Sequence, residues 1–132
     1  MLQYMLDTNI CIHVLKNRPE KLRERFNRLA EQLCISTITL AELSYGVEKS
    51  SRRDDNHQAV DQFAARLDVL PFSAVAAIHY GQVRAALEAA GRPIGAHDML
   101  IGAHARSAGM IVVTNNLREF ERIPGLRTEN WL

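Results

Sequence analysis

The sequence predicts an α/β protein: three layers, α/β/α, around a mostly parallel sheet of four to five short strands. Two observations carry this. Short apolar runs of strand length alternate with longer segments of helical periodicity from one end of the chain to the other, the pattern of a sheet with helices on both faces. The hydrophobic content is 47% but the aromatic content only 6%, so the core is aliphatic, as suits a parallel sheet covered by helices. A chain of 132 residues without repeats or a linker-like tract is expected to form one domain spanning 1–132.

The elements follow in order. Gln3 to Leu6 reads as a buried strand that stops at Asp7. Asn9 to Lys16 reads as a helix with Thr8 or Asn9 near its start. Pro19 suits the first turn of a second helix, which runs to about Gln32 with Leu22, Phe26 and Leu29 on one face. Leu33 to Ser36 is the second strand, and Ser36 or Thr37 can cap the helix from Ile38 to about Lys49. Ser50 to Asn56 is a polar loop, His57 to Leu67 is helical, and Val69 to Phe72 is a third strand. A long helix from Ala74 to Ala90 stops at Gly91. The tight segment Gly91 to Gly95 delivers the chain to a helix from Ala96 to Ser107. Ile111 to Thr114 is a fourth strand, Leu117 to Glu121 a short helix, and Leu126 to Thr128 a last strand.

Charge and cysteine content narrow the function. A net charge of +1 excludes a strongly cationic coat but permits a local basic patch. Cys11 and Cys34 lie in apolar stretches with no C-x-x-C spacing and are expected to be buried free thiols of a reducing compartment. The start lacks the basic and apolar regions of a signal peptide, and no apolar run is long enough to cross a bilayer. A soluble, cytoplasmic protein is expected.

Three acids stand out. In a parallel sheet the ligand site lies outside the carboxyl ends of the strands, and Asp7 directly follows strand one. It reads either as a metal ligand or as a helix cap. Glu42 shares a helical face with Ile38 and Tyr45 amid Leu40, Ala41 and Leu43. A charge there needs a partner or a cation, unless it lies at the rim. Asp98 enters an apolar helix near its start, where it also favours the helix dipole. Clustered carboxylates repel without a cation, and Mg²⁺ takes a few carboxylates together with water and substrate phosphate.

With these residues in view, the chain resembles the PIN-domain nucleases. Met5-Leu-Asp-Thr-Asn9 is similar to their first motif, and Thr39-Leu-Ala-Glu-Leu-Ser-Tyr-Gly46 to their second. Ile94 to Ala105 is similar to the third, and Val113-Thr-Asn-Asn-Leu-Arg-Glu-Phe120 to the fourth. The four occur in order over nearly the whole chain, which within that family looks like the enterobacterial branch of the VapC toxins. The resemblance implies a PIN fold and an endoribonuclease dependent on Mg²⁺, for which Mn²⁺ substitutes. Asp7, Glu42 and Asp98 would hold the metal. The implied substrate is tRNA cut in the anticodon loop, initiator tRNA above all, which inhibits translation. The implied partners are a VapB antitoxin, a second copy of the chain in a homodimer, and operator DNA reached through the antitoxin, with no membrane.

One departure matters. Where many PIN domains carry a fourth acid, this chain has Asn116, and the resemblance offers Glu119 in its place. Thr8, Asn9, Thr114 and Asn116 are supporting candidates. Basic residues group at Lys16, Arg18, Lys21, Arg23, Arg25 and Arg28 and again at Lys49, Arg52 and Arg53. Such groups are either a solvated face or a track for RNA, and Lys16, Arg18, Arg23, Lys49, Arg52 and Arg53 are the candidate contacts. The histidines lack zinc-site spacing, and His13, His57 and His79 read as packing or surface residues. Tyr45, Tyr80 and Trp131 are expected to pack rather than touch RNA or a partner. Two other readings remain: a phosphatase with Asp7 as nucleophile, which would lack its acid because Asn9 stands in that place, and an inactive PIN binding module.

Overall fold

The computed structural model describes every residue except Arg18, so the RNA-contact expectation for Arg18 falls outside the described residues. The sheet has five strands: β1 (Tyr4–Leu6), β2 (Leu33–Ser36), β3 (Asp68–Leu70), β4 (Ile111–Val113) and β5 (Arg127–Glu129). Their order is β3-β2-β1-β4-β5, and every neighbouring pair is parallel. The helices are α1 (Thr8–Asn17), α2 (Glu20–Leu29), α3 (Thr37–Glu48), α4 (Arg53–Ala64), α5 (Ala74–Ala89), α6 (Ala96–Ser107) and α7 (Leu117–Phe120).

Alternation along the strands sorts the core into two halves. Leu6, Leu33, Ile35 and Val113 pack with Ile10, Leu22, Phe26, Leu43 and Phe63, residues of α1 to α4. Met5, Cys34 and Val112 point the other way and pack with Val83, Leu87, Ile101 and Phe120, residues of α5 to α7. Both thiols are buried and unpaired. Burial pushes the Cys34 thiol up to about 12 and raises that of Cys11 as well, which makes both poor nucleophiles.

Some boundaries differ from the sequence expectation. Arg53 to Asn56, expected in the polar loop, form the first turn of α4. Asp54 and Asp55 there complement the positive end of the helix dipole, an effect that hydrophobic periodicity does not register. Helix α2 ends at Leu29 and gives way to a tighter 3₁₀ turn, Ala30–Gln32. Helix α1 starts at Thr8, one residue before the expectation. Gly91 and Gly109 end α5 and α6 with φ of 64° and 68°, a left-handed conformation that only glycine adopts freely.

The strand order fixes where a ligand site can lie. Proceeding from β1, the chain builds outward to β2 and β3 on one side and to β4 and β5 on the other. The turns leaving β1 and β4 therefore diverge and open a crevice between them, the switch point of an open parallel sheet. Asp7 and Thr114 are the first residues after those two strands.

Candidate active site

Asp7 fills the helix-cap role that the sequence left open for it. One carboxylate oxygen, Oδ1, accepts the Ile10 backbone N–H at 2.8 Å and so caps α1. The other, Oδ2, accepts the Thr114 hydroxyl at 2.6 Å. The Thr114 oxygen in turn accepts the Asn116 N–H at 2.8 Å, so Thr114 ties the end of β1 to the turn after β4. Each Asp7 oxygen keeps a lone pair. Asp7 is 1% exposed, and burial, with the charge of Glu42, raises its pKa against the hydrogen bonds that lower it.

Glu42 reaches the same place from α3. The Ser36 hydroxyl caps that helix by accepting the Ile38 N–H, which sets its start at the end of β2. Glu42 Oε1 accepts the Thr8 hydroxyl at 2.7 Å. Thr8 has one proton to give, so the 3.2 Å contact between the Thr8 and Thr39 hydroxyls is a donation from Thr39. Glu42 Oε2 lies 3.1 Å from His97 Nδ1.

Asp98 stands in the first turn of α6, whose N-cap is Gly95. Its Oδ2 lies 3.7 Å from where a Cβ on Gly95 would be, an ordinary contact distance. The Asp98 carboxyl is pushed up to about 7, first by burial, then by a hydrogen bond to Glu119 and by the charges of Glu119, Asp7 and Glu42. Glu119 is held in turn by the Asn116 side-chain amide, which donates to Oε2 at 3.1 Å.

Asp7, Glu42, Asp98 and Glu119 thus meet around one crevice, with Thr8, Thr114 and Asn116 orienting them. Asn9 is exposed and gives no side-chain hydrogen bond to the cluster among the described residues. The basic candidates lie outside the cluster. Lys16, Arg23 and Arg53 are exposed, Lys49 stands 5.1 Å over the Tyr45 ring, and Arg52 pairs with Asp55 at 2.9 Å. Tyr45, expected to pack, is 67% exposed. Trp131 does pack, edge-on to Tyr4 at 5.0 Å. Sequence reasoning missed Thr39 and His97. Thr39 precedes Glu42 by three residues on α3, the spacing of side chains on one face, and was detectable on that ground. Nothing in the sequence pairs His97 with Glu42.

The donor set fits a hard divalent cation. It is all oxygen, and no Lys or Arg forms an ion pair with any of the four acids among the described residues. Their mutual repulsion adds to burial in raising Asp98. As the side chains stand, no three His, Cys, Asp or Glu among the described residues form a ready coordination sphere.

A parallel α/β/α protein with an acidic crevice at its switch point is the class that fold and site define. The PIN domain family model matches residues 4–126. The chain is 55% identical over 131 residues, 99% of either chain, to the tRNA(fMet)-specific endonuclease VapC of Shigella flexneri. It is 51% identical over 132 residues, the full length of both, to Ribonuclease VapC2 of Haemophilus influenzae. Among solved structures it superposes on VapC-containing DNA-bound VapBC from Salmonella typhimurium with a TM-score of 0.98 at 55% identity, covering 100% of both chains. For VapBC2 of Rickettsia felis bound to a promoter DNA fragment the TM-score is 0.96 at 42% identity, covering 99% of this chain and 100% of that one. The chain belongs to the PIN-domain family, within its VapC branch.

Proposed function

We propose that this protein is the toxin endoribonuclease of a VapBC pair, a cytoplasmic enzyme that hydrolyses a phosphodiester of tRNA in the anticodon loop, with initiator tRNA as the favoured target. The observation that carries this reading is the meeting of Asp7, Glu42, Asp98 and Glu119, from the end of β1 and from α3, α6 and α7, with no Lys or Arg among the described residues paired to them. Relatives 55% and 56% identical carry the name tRNA(fMet)-specific endonuclease. Structures of VapBC bound to DNA support a VapB partner, a homodimeric toxin and assembly on operator DNA through the antitoxin.

Asp7, Asp98 and Glu42 would hold Mg²⁺, with Glu119 as the fourth acid and Mn²⁺ as a substitute. When bound, the ion supplies Lewis-acid polarisation of the phosphodiester and acidifies the attacking water. The protein's own residues do the positioning. Thr114 holds Asp7, Thr8 holds Glu42, and Asn116 holds Glu119, so each carboxylate enters the reaction already oriented. A phosphatase using Asp7 as nucleophile has no acid partner, since Asn9 is exposed and outside the cluster.

The test is incubation of the full chain with total tRNA and Mg²⁺, followed by mapping of new RNA 5′ ends. One tRNA is expected to gain a discrete cut, and Asp98→Asn to lose it while keeping the fold. Full cleavage by Asp98→Asn would refute the assignment.

A further inference from the structure

We infer that His97 is a positioning residue for Glu42, fixing the orientation of this carboxylate within the acidic crevice; the inference rests on the metal-site reading above. Glu42 sits at the end of a flexible side chain, part-way along α3. One oxygen is anchored by Thr8 at 2.7 Å, with Thr39 behind it. A single anchor leaves the carboxylate free to swing about that bond. His97 Nδ1, at 3.1 Å from the other oxygen, removes that freedom. Two donors on two oxygens fix both the position and the plane of the group.

Three features show that this contact is not a by-product of packing. The His97 side chain is 64% exposed, against 26% for Glu42, so burial does not force the contact. It immediately precedes Asp98 on α6, so the bond joins the element that carries one acid to the element that carries another. Its chemistry also suits the place. A Lys or Arg reaching Glu42 would set a permanent cation against the metal, whereas an imidazole presents one ring N–H to the carboxylate on a short, stiff side chain. Sequence spacing does not find this residue because its partner lies on another helix.

The experiment is calorimetric titration of Mn²⁺ into the full chain, alongside the dependence of cleavage on metal concentration. His97→Ala is expected to weaken Mn²⁺ binding by about tenfold. The metal needed for half-maximal cleavage should rise by the same factor, while the rate at saturating metal stays within about threefold, as expected when binding rather than the chemical step is impaired. His97→Asn, whose amide nitrogen falls near the Nδ1 position, should restore affinity to within about threefold of the parent, since it keeps the donor. Thermal unfolding should be unchanged in both. If His97→Ala binds Mn²⁺ like the parent while Asp98→Asn does not, the positioning role is overturned and the metal site stands. If Asp98→Asn also binds like the parent, the metal site itself falls. An Asn variant as weak as the Ala variant, or an affinity loss that follows a loss of thermal stability, would likewise overturn the role.

Discussion

Asp98 shows how function strains a residue. Its carboxyl is held at about 7 in the fold against an ordinary 3.8. Between those values the folded chain keeps a proton that the unfolded chain has released, so this group makes stability fall as pH rises from about 4 to about 7. Asp7, raised by burial, has the same sign. Buried His104, lowered by burial, has the opposite sign and costs stability as pH falls below its ordinary 6.5. The difference between Asp98→Asn and the parent isolates the first effect. With chelator present, Asp98→Asn is expected to be more stable at pH 8 by on the order of 1–2 kcal/mol, or roughly 3–8 °C in Tm, and equal to the parent near pH 4. Thermal unfolding followed by circular dichroism checks it, and added Mg²⁺ should stabilise the parent alone. An Asn variant less stable at pH 8 would mean that Asp98 is favourably paired without a cation. Asp7, Glu42 and Asp98 stood out in the sequence as carboxylates at a strand end and in apolar helices, whereas Glu119 came only from the family resemblance. Their partners did not stand out: Thr39 and His97 act through contacts between elements, and periodicity reports only which face of its own element a residue occupies.

At the scale of elements, α7 is the piece most dependent on its neighbours. A helix of four residues, Leu117–Phe120, cannot hold itself together, yet it carries Glu119. It is fastened by Phe120 and Ile123, 0% and 2% exposed, against α6. At Gly102 the two come so close that a Cβ would run into the Ile123 terminal methyl group and approach the Phe120 ring at 3.6 Å. Arg122 adds a hydrogen bond to the Pro93 carbonyl at 2.9 Å, linking the end of α7 to the segment that leads into Asp98. Gly102→Val is therefore expected to cost about 1–3 kcal/mol by overpacking against Ile123, and to lower cleavage beyond that loss to the extent that the displacement passes through Phe120 to α7 and Glu119. Chemical denaturation and turnover at saturating Mg²⁺ measure the two effects, and a fully stable, fully active Gly102→Val would show that α7 is not held from this side. The order of strands and helices was readable because β1, β2 and β4 are short apolar runs and Ser36 and Ser73 mark the starts of α3 and α5. The start of α4 was not, because an all-polar first turn looks like a loop until the helix dipole is considered.

Over the whole molecule, the acidic crevice creates a problem for the proposed substrate, since carboxylates repel the phosphates they are to cut. A net charge of +1 offers little general attraction, so the attraction must be local. Helix α3 supplies a route. It carries Glu42 near its middle and Lys49 as its C-cap, about 10 Å apart along the axis, with the exposed Tyr45 ring between them under the Lys49 ammonium. Exposed Arg53 opens α4 just beyond. This surface places cations a short stretch of RNA away from the crevice without setting one inside it. Cleavage of tRNA is expected to fall steeply with salt, each phosphate contact adding about 0.7 to the slope of log(kcat/KM) against log[salt] for a single strand. Lys49→Gln with Arg53→Gln should reduce that slope by about 1.4, or two phosphate contacts, and leave Mn²⁺ affinity unchanged, since neither residue touches the four acids. Steady-state cleavage from low to physiological salt measures the slope. A double variant with the parent's salt dependence would remove this surface from the path of the RNA and assign its charges to solvation alone.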